Sequence, residues 1–123
     1  MQVLMSDCFK EVYPKFDDEI RQAVARFIDH TESYGIKGLQ GRNKPSIPSN
    51  LHTKKQLKNA KFAQKYCLWH YHLGIPEYIK QENGDLTSEY ILHYCYYDDL
   101  IVLVDIASHP PFELPSVEKM EYS

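Results

Sequence analysis

At 123 residues the chain is long enough for one domain around one core and too short for two. Its apolar share of 43% and charged share of 25% are ordinary for a globular protein, and no apolar run approaches the ~20 residues that span a bilayer. The net charge of −3 gives no general affinity for nucleic acid, and three widely spaced cysteines (Cys8, Cys67, Cys95) make no disulfide framework or Cys-x-x-Cys zinc site.

The opening MQVLMSDCFKEVY has no basic stretch and carries Asp7, so it does not read as a signal peptide, and a cytoplasmic location is expected. The cysteines are expected to be small buried hydrophobes. Residues 2–9 are apolar enough for a short first strand. Pro14 sits where a helix can begin, and Asp17, Asp18 and Glu19 fall in the first turns, where the helix dipole favours acids. Phe16, Ile20, Ala23, Val24, Phe27 and Ile28 recur at helical spacing and form one apolar stripe, predicting a helix that ends near Tyr34-Gly35.

GIKGLQGRNKPSIPSN holds three of the five glycines and two prolines and reads as a loop. A second helix is predicted from about His52 to Gln64, with Leu51, Leu57, Ala60 and Phe62 inward and the lysines outward. Between Arg42 and Lys65 lie seven basic residues (Arg42, Lys44, Lys54, Lys55, Lys58, Lys61, Lys65) and no acid. Phosphate binding depends on such local potential rather than on net charge. A solvated helix face beside a basic loop accounts for the same run.

YCLWHYHL reads as a strand of aromatic and β-favouring residues. IPEYIKQENGDLTS, with Pro76 and the turn signal Asn83-Gly84-Asp85, reads as an irregular insertion. Tyr90 to Tyr96 and Leu100 to Ala107 form a β-hairpin around Tyr97-Asp98-Asp99. A proline-rich tail follows over residues 110–123. The coarse order β-α-α-β-β-β, in one domain over residues 1–123, predicts an α+β sandwich.

At the last three strands the pattern resembles the RelE/ParE-like toxin superfamily. His70-Tyr71-His72-Leu73-Gly74 is similar to the basic-apolar-basic-apolar-Gly string of that superfamily, with His where Arg is usual. YILHY (90–94), the acidic turn and LIVLVDIASH (100–109) are similar to its closing hairpin. Gly41-Arg42-Asn43 after the first helix, the His-x-His strand, the Pro-containing insertion and the YC-containing strand resemble the YafO family within it. The resemblance covers roughly residues 15–110. It implies a RelE/ParE-like α+β fold, a short first strand and two helices packed on a curled antiparallel sheet. It also implies the toxin of a type II toxin–antitoxin system, a metal-independent, ribosome-dependent endoribonuclease that cleaves mRNA and inhibits translation. The implied partners are mRNA, the ribosome and a cognate antitoxin, with no membrane and no cofactor. These toxins are usually basic and use Lys, Arg and Tyr heavily, whereas this chain is mildly acidic and carries six His.

Residues two apart in a strand share a face, so His70 and His72 point together, as do Asp105 and His109. In the superfamily one sheet face packs on the helices and the other lines a concave RNA site, where three imidazoles would meet near one carboxylate. Imidazole serves as acid or base at cellular pH, which suits attack of a ribose 2′-OH on the adjacent phosphorus. Arg42, Lys54, Lys55 and Lys58 are candidates for phosphate contacts. Tyr94 or Tyr96 is a candidate to donate a hydrogen bond or stack on a base. His93 is out of phase with Tyr94, so at most one of them faces the site. His30 and His52 read as bystanders. Simpler readings are polar exposure on a wet sheet face for the His pair and a buried structural acid for Asp105.

Other functions use the same residues. His70-x-His72, Glu77 and Gly84 look like the first metal-binding motif of the cupins, which would hold iron, manganese or zinc, but Gln64 stands where that motif has Gly and its second half is absent. A non-catalytic ParE-like protein that poisons gyrase by binding, or a plain interaction domain, is equally consistent with the fold.

Overall fold

The computed structural model describes residues 1–48, 50–109 and 112–123. Along the chain run β1 (Gln2–Met5), α1 (Asp7–Val12), a 3-10 turn (Tyr13–Lys15), α2 (Asp18–Tyr34), β2 (Asn43–Pro45) and α3 (Lys54–Lys65). They are followed by β3 (Leu68–His72), β4 (Ile79–Lys80), β5 (Leu86–Thr87), β6 (Tyr90–Tyr96), β7 (Leu100–Ser108) and a second 3-10 turn (Val117–Met120). The helix starts follow from local chemistry. Asp17 caps α2 by accepting from the Ile20 amide, and Thr53 with Gln56 forms a reciprocal capping box on α3. Gly35 ends α2 at a φ of 68°, a conformation that suits a residue without Cβ.

A five-stranded sheet has the order β1-β7-β6-β3-β2, with β1 parallel to β7 and every other pairing antiparallel. The architecture is therefore α+β with a mostly antiparallel sheet. Alternation along β3, β6 and β7 gives the sheet two distinct faces. Ala23, Val24 and Phe27 of α2 pack on the first, against Tyr71, Leu92, Tyr94, Ile101 and Leu103. Ala63 of α3 packs on the second, with Leu68, Cys95, Val102, Val104 and Met120.

Several expectations change. The two long helices lie on opposite faces of the sheet instead of packing together on one. The first strand is shorter than residues 2–9, because Ser6 caps α1 by accepting from the Phe9 amide. Leu57 and Leu51, expected inward, are exposed; α3 buries Ala60, as expected, together with Ala63. The insertion after β3 contains the two-stranded β4–β5 pair. Cys95 is buried, while Cys8 and Cys67 are only partly so, and all three are free. Part of the proline-rich tail, Pro110 and Pro111, lies outside the described residues; Met120 further on is buried in the second core. The chain ends meet, since the Asp7 amide donates to the Glu121 carbonyl at 2.8 Å and the Cys8 thiol to the Glu118 carbonyl. Among the described residues no helix is long and apolar enough to cross a membrane.

Candidate functional site

Strand β3 turns Trp69 and Tyr71 toward the α2 face, which leaves His70 and His72 on the other. Across the ladder His70 is paired with His93 of β6, and His93 with Asp105 of β7. His109 follows the end of β7, where its amide donates to the Glu89 carbonyl at 2.6 Å. The rings form a row, His93–His70–His72–His109, with successive centroids 6.5, 6.0 and 5.8 Å apart. Sequence reasoning found three of the four. His93 escaped because the 90–96 alternation separates it from Tyr94 without saying which of the two belongs to the histidine side; its register against His70 decides.

Tyr94 does not join the group. Its ring is buried between Phe27 and Trp69 on the α2 face, and its hydroxyl donates to Asn43 Oδ1 at 2.6 Å. Tyr96 packs against Trp69 on the same face. Adjacent strand residues point to opposite sides, so a strand that contributes His93 cannot also contribute Tyr94. Asp105 reaches the histidine face through an irregularity. His93 pairs with Asp105 but Tyr94 pairs with Leu103, so Val104 is passed over and the alternation of β7 changes phase there. The carboxylate then pairs with Lys119 at 2.9 Å, beside His93 rather than between His72 and His109.

Three of the four rings are buried, His93 fully, His72 at 2% exposure and His70 at 4%, and only His109 is half-buried. Phe112 stands against His70, His93 and His109 at centroid distances of 4.8, 5.8 and 5.4 Å. Burial pushes the His70 imidazole down to about 3, helped by the neighbouring His93 and His72. It pushes His93 down to about 4 against the opposing pull of Asp105. Both rings are neutral at cellular pH. His70 Nδ1 lies 2.9 Å from Ser46 Oγ, whereas neither ring nitrogen of His93 has a hydrogen-bond partner among the described residues.

His72 and His109 border an open cavity of about 440 Å³, with Ile79, Thr87, Ser88 and Glu89. Both are held below the ordinary imidazole range, chiefly by burial, which for His72 is opposed by the Ser88 carbonyl. The Ser88 amide and the Ser88 carbonyl each lie 2.9 Å from His72 Nδ1. With its proton on Nδ1 the ring donates to the carbonyl and leaves Nε2 bare, a base. With its proton on Nε2 the ring accepts from the amide and offers an N–H. The same backbone residue serves both forms.

The cationic flank is Arg42 and Lys44, whose charges also disfavour protonation of His72 and His109. Arg42 pairs with Asp85 at 2.8 Å, and Lys44, which sequence reasoning left out of the site, sits opposite His70 in the β2–β3 register. The signal for Lys44 is strand pairing, which Asn43-Lys44-Pro45 does not advertise. Arg42, Asn43, Lys44 and Trp69 border a second cavity of about 550 Å³. Lys54, Lys55 and Lys58 are exposed on α3, and Lys55 borders a smaller cavity with Ser46 and Phe112. Glu77 is exposed and does not join His70 and His72; among the described residues no three His, Cys, Asp or Glu side chains are grouped to hold a metal ion.

No protein-family model matches the chain, and neither does any curated protein or solved structure.

Proposed function

We propose that the protein is a RelE/ParE-like toxin of the YafO type, a metal-independent endoribonuclease that cleaves mRNA on the ribosome and is neutralised by an antitoxin. The observation that carries this reading is the pair His72 and His109, 5.8 Å apart and bordering one open cavity beside Arg42 and Lys44. A phosphodiester placed there meets two imidazoles, with Arg42 and Lys44, which border the neighbouring cavity, close enough for their charges to act on both rings. One ring takes the ribose 2′-OH proton, the 2′ oxygen attacks phosphorus, the P–O5′ bond breaks, and the other ring protonates the leaving oxygen. The products are a 2′,3′-cyclic phosphate and a 5′-hydroxyl. Free of ligand, both rings are biased toward the neutral form, so one is ready to act as base. The phosphate brings its own negative charge, which favours the imidazolium needed for the acid. Arg42 and Lys44 hold the phosphate and stabilise the charge that develops on it. The architecture agrees with the coarse α+β class, while α2 and α3 on opposite faces of the sheet depart from the one-sided packing the resemblance implies.

The test is cleavage of mRNA in a translating extract, with the product ends identified and with EDTA titrated while magnesium still preserves ribosomes. Cleavage insensitive to EDTA and ending in 2′,3′-cyclic or 3′-phosphate is expected. In cells, induced expression should depress protein synthesis before DNA synthesis. Intact mRNA would overturn this reading, and DNA synthesis failing first would replace it with the gyrase-poisoning one.

A further inference from the structure

An antiparallel pair of the hydrogen-bonded kind exchanges two bonds, N–H to O in each direction. Beyond Asn43–Tyr71 the β2–β3 ladder reaches Arg42 and His72, and there only one bond forms: the His72 amide donates to the Arg42 carbonyl at 3.0 Å. The Arg42 amide turns instead to the Leu86 carbonyl at 2.8 Å. The His72 carbonyl accepts from the Tyr78 hydroxyl at 3.2 Å. Both substitute partners come from the insertion after β3, and so does Asp85, which holds the Arg42 side chain.

The seat of Tyr78 is built by small residues. A Cβ on Gly74 would come within 2.5 Å of the Tyr78 ring, and one on Gly41 within 3.0 Å of it and 2.1 Å of the His72 carbonyl. The Tyr78 and Tyr71 hydroxyls lie 3.2 Å apart, and the Gly41 amide donates to the latter. Tyr78 thus sits on the backbone of the two residues that carry a proton-transfer group and a phosphate-holding group.

We propose that Tyr78 is a positioning residue: its hydroxyl replaces the missing ladder bond, and with Leu86 and Asp85 it makes the insertion a clamp that sets the spacing of His72 and Arg42. The catalytic part of this rests on the RNA-cleaving reading above; the clamp does not. Without the hydroxyl, the His72 carbonyl has no partner in a place too tight for a side chain at position 41, and the end of β3 drifts. A displacement of about 1 Å at a reacting group can cost on the order of a hundredfold in rate.

Tyr78→Phe keeps the ring in its seat and removes only the hydroxyl. Two readouts separate the possibilities. In hydrogen exchange, the His72 and Arg42 amides should exchange about tenfold faster or more, with Leu103 in β7 unchanged. In single-turnover cleavage of mRNA on ribosomes, kcat should fall about ten- to a hundredfold with KM within about twofold, a split that general unfolding would not produce. Unchanged exchange at His72 and Arg42 overturns the clamp whatever happens to cleavage. Faster exchange with undiminished cleavage overturns the positioning role. If the parent chain cleaves no RNA, the RNA-cleaving reading and the catalytic half of the proposal fall together, and exchange alone decides the clamp.

Discussion

The two faces of the sheet solve opposite problems with neighbouring residues of the same strands. On the α2 face the polar tips are tied off: the Tyr94 hydroxyl has Asn43, and the Tyr71 hydroxyl has Gly41 and Tyr78. On the histidine face His93 is fully buried with both ring nitrogens unpartnered among the described residues. Buried polar groups are normally satisfied, so the second face gives up stability that the first keeps. The difference separates a face whose polar tips are paired from one that leaves His93 unpaired among the described residues.

The largest effect expected from that contrast is on rate. His72→Gln and His109→Gln should each lower RNA cleavage about 10²–10⁴-fold with the fold intact, because losing one acid or base removes that much. Tyr94→Phe, one residue from His93 but on the other face, should leave the rate within about twofold. Equal losses in all three would erase the distinction between the faces. Next in size is packing: Phe27→Ala should destabilise by about 3–5 kcal/mol in denaturant melts, since it removes the ring between Tyr71 and Tyr94.

Acid should unfold the protein through the histidine face. His70 and His93 titrate below the unfolded value of 6.5, at about 3 and about 4, so the unfolded chain binds their protons first. Their contribution is fully present above pH 6.5 and is lost as the pH falls toward 4 and then 3. Each adds a slope of roughly 1.4 kcal/mol per pH unit inside that window. His93→Leu should remove one proton from the slope without loss of stability at pH 7. A slope unaltered in that variant would show that His93 does not stay neutral in the folded state. The smallest effect is expected outside both faces. Replacing Lys54, Lys55 and Lys58 by Gln should leave the melt unchanged and lower the salt slope of RNA binding by about 2, at ~0.7 per lost phosphate contact. No change in slope would return these lysines to solvated surface.

Strong periodicity made α2 and the β6–β7 hairpin legible, because each repeats its apolar signal over two or more turns or pairs. β2 was not, since Asn43-Lys44-Pro45 has no apolar alternation and exists as a strand only through its pairing with β3. Its absence hid Lys44 from the site. α1 spans six residues and owes its existence to Ser6 and to packing by the chain's end. The His-x-His pair was readable from the two-residue period alone. The phase change at Val104 was not, because no residue type there announces that Leu103 and Asp105 would face opposite sides.

The parallel pairing of β1 with β7 has a consequence in time as well as in space. Gln2–Met5 finds its partners at Leu100–Leu103, and α1 meets its own near Glu118 and Glu121. A chain made from its N-terminus therefore carries β1 without its partner until Leu100–Leu103 have been added, and α1 until Glu118 and Glu121 have been. Contacts this distant in sequence form late and slowly. Later still come His109, which completes the imidazole row, and Phe112, which covers part of it. The imidazole row is therefore completed only after the whole of β7 has been made.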